Sequence, residues 1–587
     1  MLHWGKSGGW AHRKREGVAG GMEQDESDPE LVGGYVTDYY TFNPHRAIWD
    51  GRHEYDGQAG DFSPEAVQAR IAALEHWGIR LETARRAQLA GSPPSDPPAP
   101  HGVPLATQAA RDLALTEYFR REELFALRDW RPQTFMPAYY LGMVDLSIYL
   151  KRPYAPAAER LAALIRHLRA IPDFLANART SLRGPFVRLA LEQGVRSYEA
   201  VALYYAGELA EQARALAPAS ALLSDLDAAL PKAAHAVRDF AGYLRERLDD
   251  DTHRDIALGG DLFHAIVRHL ELLDVPLDHL RAWGEQELAT LRARVAEVAG
   301  QMKMAPIYAF ASLSRGRLPE ARVLADTAAA IDELRTFLAQ AGIVDVLDHQ
   351  PYVIGVSPPY LRGGSAFVEP PGPYEQPGLP TFIYITLPDA TWPSAARNAW
   401  LNKLNPWSLR NTAAHETYPG HLLHFQHLAR NPSQAARTFT SFACTEGWAH
   451  YSEGLLIEQG YAKDNPRAEL AYLRMGLLRA ARLLIALNLH ERAMTLHEAS
   501  TFVQRATHFP LVRCLPEAIR ATQDPRVVSY TLGKLLLLGL RDDFRRQEGQ
   551  AYSPRRFHDA FLACGAPPFP LARRMLLRDA GPDPLST

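Results

Sequence analysis

Apolar residues recur at three-and-four spacing along most of this chain, a period that favours amphipathic helix over strand. AAERLAALIRHLRAI (157 to 171) is one such stretch, and the segments near 195 to 215, 220 to 248, 277 to 302 and 319 to 342 repeat the pattern. It returns after residue 395, with helices expected around 396 to 405, 411 to 430, 434 to 460, 466 to 490 and 525 to 548. At 587 residues and 65.3 kDa, the chain is long enough for a few domains or one large helical body. The most apolar run, LLLLGL at 535 to 540, reads as a buried helix turn. No run approaches the roughly 18 apolar residues that a membrane span needs.

The helical pattern is interrupted twice. GSPPSDPPAPHGVP (91 to 104) is a Pro-rich linker between an N-terminal helical segment (35 to 90) and a helical region (105 to 345). Between 345 and 390 the texture turns to Pro, Gly and aromatics, and PYVIGV (351 to 356) and TFIYIT (381 to 386) read as strands. They suit a small sheet or hairpin. Its edge could take an extended peptide backbone, or the pair could simply pack. Residues 346 to 575 form the expected catalytic region, and 1 to 34 and 576 to 587 read as tails. The Gly-rich, charged N-terminus has no apolar core of a secretory signal, and Met22 is an alternative start.

Lys plus Arg number 64 and Asp plus Glu 67, so the net charge of -3 gives no basic excess for nucleic acid. The three cysteines, Cys444, Cys514 and Cys564, are too few and too far apart for a disulfide framework or a C-x-x-C zinc motif. They suit a reducing compartment, hence a cytoplasmic location.

The residues that point to chemistry are AAHETYPGH, 413 to 421. In H-E-x-x-H the two histidines stand one turn apart on one helix face and bind zinc, with the Glu as general base. Here His415 and His421 are six apart, which on a regular helix places them about 120 degrees apart around the axis. Pro419 cannot sit inside a regular helix, and Gly420 permits unusual backbone angles. A bulged or broken turn over residues 417 to 420 would bring His421 back toward the metal. The alternative is a His-rich solvated face, since His424 and His427 follow closely.

A catalytic zinc takes three protein ligands and keeps one position open. CTEGWAHYSEGL (444 to 455) supplies the third candidate, Glu446, beside the small residues Gly447 and Ala449. His450 and Glu453 follow on or near the same face, and one of them could orient a ligand.

HETYPGHLLHFQ followed by EGWAHYSEGL resembles the bacterial family known as domain of unknown function 885, whose members carry H-E-x-x-P-G-H and E-G-W-A-x-Y-x-E. AIWDGRHEYDG, PPYLRGGSAFVEPPG, GLPTFIYIT and three C-terminal segments extend the likeness over roughly 35 to 575. The family is similar to helical zinc metallopeptidases of the gluzincin type. The resemblance implies that His415, His421 and Glu446 are zinc ligands and Glu416 the general base. Many members have a second histidine after P-G-H, where this chain has Leu422.

The expected fold is mainly α: a large helical body enclosing an active-site channel, with a small β-sheet or hairpin next to the metal site. The expected function is a zinc-dependent hydrolase, with one zinc ion per chain, that cleaves amide bonds of short peptides. The same chemistry would serve an amide or ester hydrolase acting on a non-peptide metabolite, and a non-catalytic helical binding protein is a reading of another class. No nucleic acid or membrane partner is expected. Tyr530, or else His490, is a candidate donor to the oxyanion. Each could equally be structural: Tyr530 packed with a satisfied hydroxyl, His490 favouring a helix end. Arg520, Arg526 and Lys534 could hold a substrate carboxylate or lie on a solvated face.

Overall fold

A computed structural model of the protein describes residues 28–90, 105–250, 253–348, 350–358, 360, 364–389 and 391–579. The linker at 91 to 104, Met22 and the last eight residues lie outside the described residues. Those described are mainly helical with a small three-stranded sheet. The helix Asp28–Phe42 starts inside the segment read as an N-terminal tail, because Leu31, Val32, Tyr35 and Val36 all bury against the first core. No helix among the described residues is long and apolar enough to cross a membrane.

Beside two small clusters, two large hydrophobic cores dominate among the described residues. One is built mainly from residues 31 to 244, the other from residues 263 to 577. The division is not a clean cut in sequence. Ala435, Ala436 and Phe439, together with Leu571 and Met575, cross back into the first core. The region expected to be catalytic therefore helps to build the N-terminal body. Cys444, Cys514 and Cys564 are buried and none is in a disulfide.

Seven helices position the site: α1 (Leu277–Gln301), α2 (Pro406–Glu416), α3 (His421–Ala429), α4 (Phe442–Glu458), α5 (Pro466–His490), α6 (Leu511–Gln523) and α7 (Ser529–Glu548). Helix α5 is apolar on nearly every side and is accordingly buried from Leu477 to Leu487. Helix α1 packs along it, with Gly284 set against Leu483 and Leu484. Helices α4 and α7 cross at glycine on both sides: a Cβ on Gly447 would come within 2.5 Å of the Gly533 backbone. LLLLGL falls in α7, with Leu536, Leu537 and Leu540 buried.

The sheet holds β1 (Tyr352–Val356), β2 (Ala366–Glu369) and β3 (Thr381–Ile385) in the order β1-β3-β2. The two strands legible in the sequence pair in parallel, with Tyr352 opposite Thr381, so they are not a hairpin. A parallel pair needs a crossover, and the Pro- and Gly-rich run between them provides it. That run also contributes β2, antiparallel to β3 with Ala366 opposite Ile385.

Candidate metal centre

Helix α2 begins with Asn405 accepting a hydrogen bond from the Ser408 N–H and with Pro406 at its first position. It ends at Glu416, where Thr417 leaves helical geometry at φ -124°, ψ -91°. The single helix expected over 411 to 430 is thus two helices, broken at residues 417 to 420. The Gly420 N–H donates back six residues to the Ala414 carbonyl at 3.0 Å, and the Leu423 N–H to Thr417 O at 3.2 Å. The Tyr418–Pro419 peptide is cis. From α4, Trp448 donates its indole N–H to the Pro419 carbonyl at 2.8 Å and so holds the break against the helix that carries Glu446.

The break brings the two histidines together. Their ring centroids are 4.8 Å apart. His415 Nε2 lies 3.3 Å and His421 Nε2 3.4 Å from the same oxygen, Glu446 Oε2. One donor atom from each residue falls within 4.8 Å of the others. Glu446 Oε2 is buried, yet it takes no well-aligned hydrogen bond from either ring. Two imidazole nitrogens and a carboxylate oxygen, convergent but not bonded to one another, fit the donor set of a catalytic zinc. Leu422, which follows His421, is fully buried in the core.

Behind His415 stands a second tier. Glu453 Oε1 is 2.9 Å from His415 Nδ1, and Arg479 on α5 holds the same carboxylate at 2.7 and 3.0 Å. The Asn411 side chain donates to Glu453 Oε2 at 2.8 Å. If Nε2 is to be free for a cation, the ring proton sits on Nδ1, and Glu453 is the acceptor beside it. Of the two residues considered for this role, His450 is instead placed with Nδ1 3.3 Å from the Tyr530 carbonyl. Arg479 has no counterpart in the sequence reading. Its signal was a charge within the apolar run from Leu477 to Leu487, since a buried guanidinium implies a buried partner.

The electrostatics follow from these contacts. Burial works against a charged His415, but Glu446 and Glu453 outweigh it and raise its pKa to about 9. Burial alone would raise the Glu446 pKa, yet the two histidines hold it well below the usual carboxylate range. Burial raises the Glu416 pKa.

His415, Glu416, His421, Glu446 and Tyr530 line one cavity of about 1270 Å³ between the two helical bodies. The Tyr530 hydroxyl accepts a hydrogen bond from Arg520 at 3.0 Å. Burial, reinforced by the Glu446 carboxylate, pushes its pKa up to about 12. His490 is placed elsewhere. It is fully buried at the end of α5, with Nδ1 3.3 Å from the Leu258 N–H and Nε2 3.0 Å from the Ala521 carbonyl. With both ring nitrogens engaged by backbone, it is a structural residue rather than part of the cavity wall. Lys534 is likewise committed, to Glu287 at 2.6 Å.

The sequence matches the profile of a family described as bacterial protein of unknown function, DUF885, over residues 44–576. No curated protein matches it. The solved structures that share the fold include two of bacterial proteins. One is a candidate lipoprotein of unknown function from Shewanella oneidensis, with a TM-score of 0.74, 19% identity and coverage of 94% of this chain and 100% of that one. The other is a candidate lipoprotein from Colwellia psychrerythraea, with a TM-score of 0.74, 15% identity and coverage of 93% and 98%.

Proposed function

The chain belongs to the DUF885 family of bacterial proteins of unknown function, and for this member we propose a zinc-dependent hydrolase of the gluzincin type that cleaves amide bonds in short peptides. The observation that carries the proposal is the convergence of His415, His421 and Glu446, with donor atoms within 4.8 Å of one another, beside the half-buried Glu416 in a cavity wall.

His415, His421 and Glu446 would hold a zinc ion, which would supply Lewis acidity at this site. The chain supplies the rest. Glu416, next in sequence to a ligand and lining the same cavity, accepts a proton from the attacking water and returns it to the leaving amine. Glu453, held in place by Arg479, is the acceptor beside His415 Nδ1 and favours the tautomer that leaves Nε2 free. Arg520 donates to the Tyr530 oxygen, so the hydroxyl hydrogen of Tyr530 is left to point into the cavity and meet a developing oxyanion.

A peptide is favoured over a non-peptide metabolite by β2. This strand pairs only on its β3 side among the described residues, and Ala366, Phe367 and Val368 line the same cavity. An extended backbone can add to such an edge.

The test is elemental analysis of the purified protein beside His421→Ala, followed by peptide hydrolysis with Glu416→Gln. About one zinc per chain that is lost in the histidine variant is expected. Glu416→Gln should keep the metal and lose most turnover. Absence of metal in the wild type after zinc is added back, or full turnover by Glu416→Gln, would overturn the proposal.

A further inference from the structure

The cavity that holds the metal-ligand cluster carries positive charge its own carboxylates leave unbalanced. Arg196, Arg254, Arg520 and Arg526 all line it. Arg526 is paired with Asp524 at 2.9 Å, and Asp255, which also lines it, is taken by Arg492 at 2.8 Å. The other two acids on the wall are Glu416 and Glu446, both already assigned to the chemistry. Among the described residues, Arg196, Arg254 and Arg520 have no carboxylate within ion-pair distance.

Arg520 stands out because of its company. Three guanidinium groups surround the Tyr530 ring: Arg479 at 5.9 Å, Arg482 at 5.3 Å and Arg520 at 5.6 Å. Arg479 is neutralised by Glu453 and Arg482 by Glu517, each at 2.7 Å. Among the described residues, the Arg520 side chain makes one hydrogen bond, to the Tyr530 hydroxyl. A guanidinium has five N–H donors in a planar fork suited to a carboxylate, so most of the donors of Arg520 remain available on the cavity wall. Arg254, in the same cavity, lies over the Phe135 ring at 4.3 Å. Asp524 and Glu517 act on Arg520 from beyond ion-pair distance, so its free donors have no direct anionic partner, and a ligand carboxylate would supply one.

We propose that Arg520 anchors a free carboxylate of the substrate beside the metal-ligand cluster, with Arg254 as a second positive group, so that the enzyme acts at the C-terminal end of short peptides. This rests on the hydrolase reading and narrows its substrate class. A free C-terminus is the one anion every unmodified peptide carries, whereas the amino terminus would meet the same arginines with like charge. An N-acyl amino acid presents the same carboxylate, and the test separates the two sources.

The experiment is calorimetric binding to the zinc-loaded, full-length Glu416→Gln protein, which holds a peptide without turning it over. The probes are acetyl-Ala-Ala-Ala-Phe as the free acid, the same peptide as its C-terminal amide, and acetyl-phenylalanine. The acid should bind at least about tenfold more tightly than the amide, the range of a charge-assisted hydrogen bond. Adding Arg520→Gln should bring the two together, and Arg520→Lys should restore part of the gap. Tyr530→Phe, which keeps the guanidinium, should preserve it. Equal binding of acid and amide, no binding of either, or a preference that survives Arg520→Gln would overturn the proposal. Acetyl-phenylalanine binding as tightly as the peptide acid would overturn the peptide source. These are binding measurements, so a protein with no hydrolytic activity can still pass them. Conversely, efficient cleavage of amide-capped peptides would leave the hydrolase reading intact and sink this one.

Discussion

Gly420 packs against the carbonyl oxygen of His415 so closely that a Cβ at that position would come within 1.9 Å of it. The contact is between backbones, so no flexible side chain can give way. It is the point at which the chain turns from one histidine toward the other.

Gly420→Ala should therefore both destabilise the fold and disorganise the metal site. A loss of about 3 kcal/mol or more is expected, at the upper end for overpacking because backbone cannot repack. Chemical denaturation measures the first effect and zinc titration the second. A variant with wild-type stability and full zinc affinity would show that the break between α2 and α3 tolerates other geometries.

Removing the carboxylate behind His415 should weaken the metal without touching a ligand. Glu453→Gln keeps the size of the side chain but leaves His415 and Arg479 without the anion they share. Zinc affinity should fall about 10- to 100-fold. Glu453→Ala should in addition cost about 3 to 5 kcal/mol, because Arg479 is then buried without its partner. Competition with a chelator of known affinity reads the first effect, and thermal unfolding the second.

Close packing of α4 on α7 should set the distance between Glu446 and Tyr530. A Cβ on Gly533 would come within 2.1 Å of the Ala443 carbonyl. Gly533→Ala must push the two helices apart, and a loss of about 1 to 3 kcal/mol is expected. Turnover should drop further than stability, since Glu446 and Tyr530 lie on the two displaced helices. Equal activity in a correctly folded variant would show that the crossing does not govern the site.

One buried acid should leave a pH signature on stability. Glu271 accepts hydrogen bonds from Ser441 Oγ, the Ala443 N–H and Ser529 Oγ, at the starts of α4 and α7. Burial raises its pKa to about 7, despite the opposing effect of these donors. The folded state thus holds a proton that the unfolded chain releases nearer the ordinary carboxylate value. Its contribution to stability is fully present below that ordinary value and is lost as pH rises toward and through 7. The change is on the order of 3 kcal/mol. Glu271→Gln should flatten this part of the curve, so the melting temperatures of variant and wild type should diverge with rising pH in the variant's favour. A constant difference from pH 4 to pH 8 would count against the assignment.

Much of the candidate site was legible because its residues lie close together in sequence and carry distinctive chemistry. His415, Glu416, His421 and Glu446 fall in two short motifs, and Pro419 with Gly420 already marked the place where a helix had to break. The structure breaks it there and brings the three ligand candidates together. Tyr530 lines the same cavity, whereas His490 does not, although both ended or opened helices of similar texture. Arg479 is a charge within an apolar run, but its partners, Glu453 and His415, lie in other helices, and nothing local says what it pairs with. Strand β2 escaped notice because its residues sit in a run of Pro and Gly, and pairing with β3 overrides that local character.

The sequence by itself determined the helical character, through a 3.6-residue period sustained over long stretches, and the identity of the ligand candidates, through residue type and spacing. Only the tertiary structure decided which faces met. The parallel pairing of β1 with β3, the return of residues 435 to 439 into the first core, and the placing of Arg520 on the cavity wall each depend on contacts between segments far apart in the chain. Such contacts are fixed by the burial of apolar surface and the pairing of buried charge across the whole molecule, and neither leaves a mark on the local order of residues.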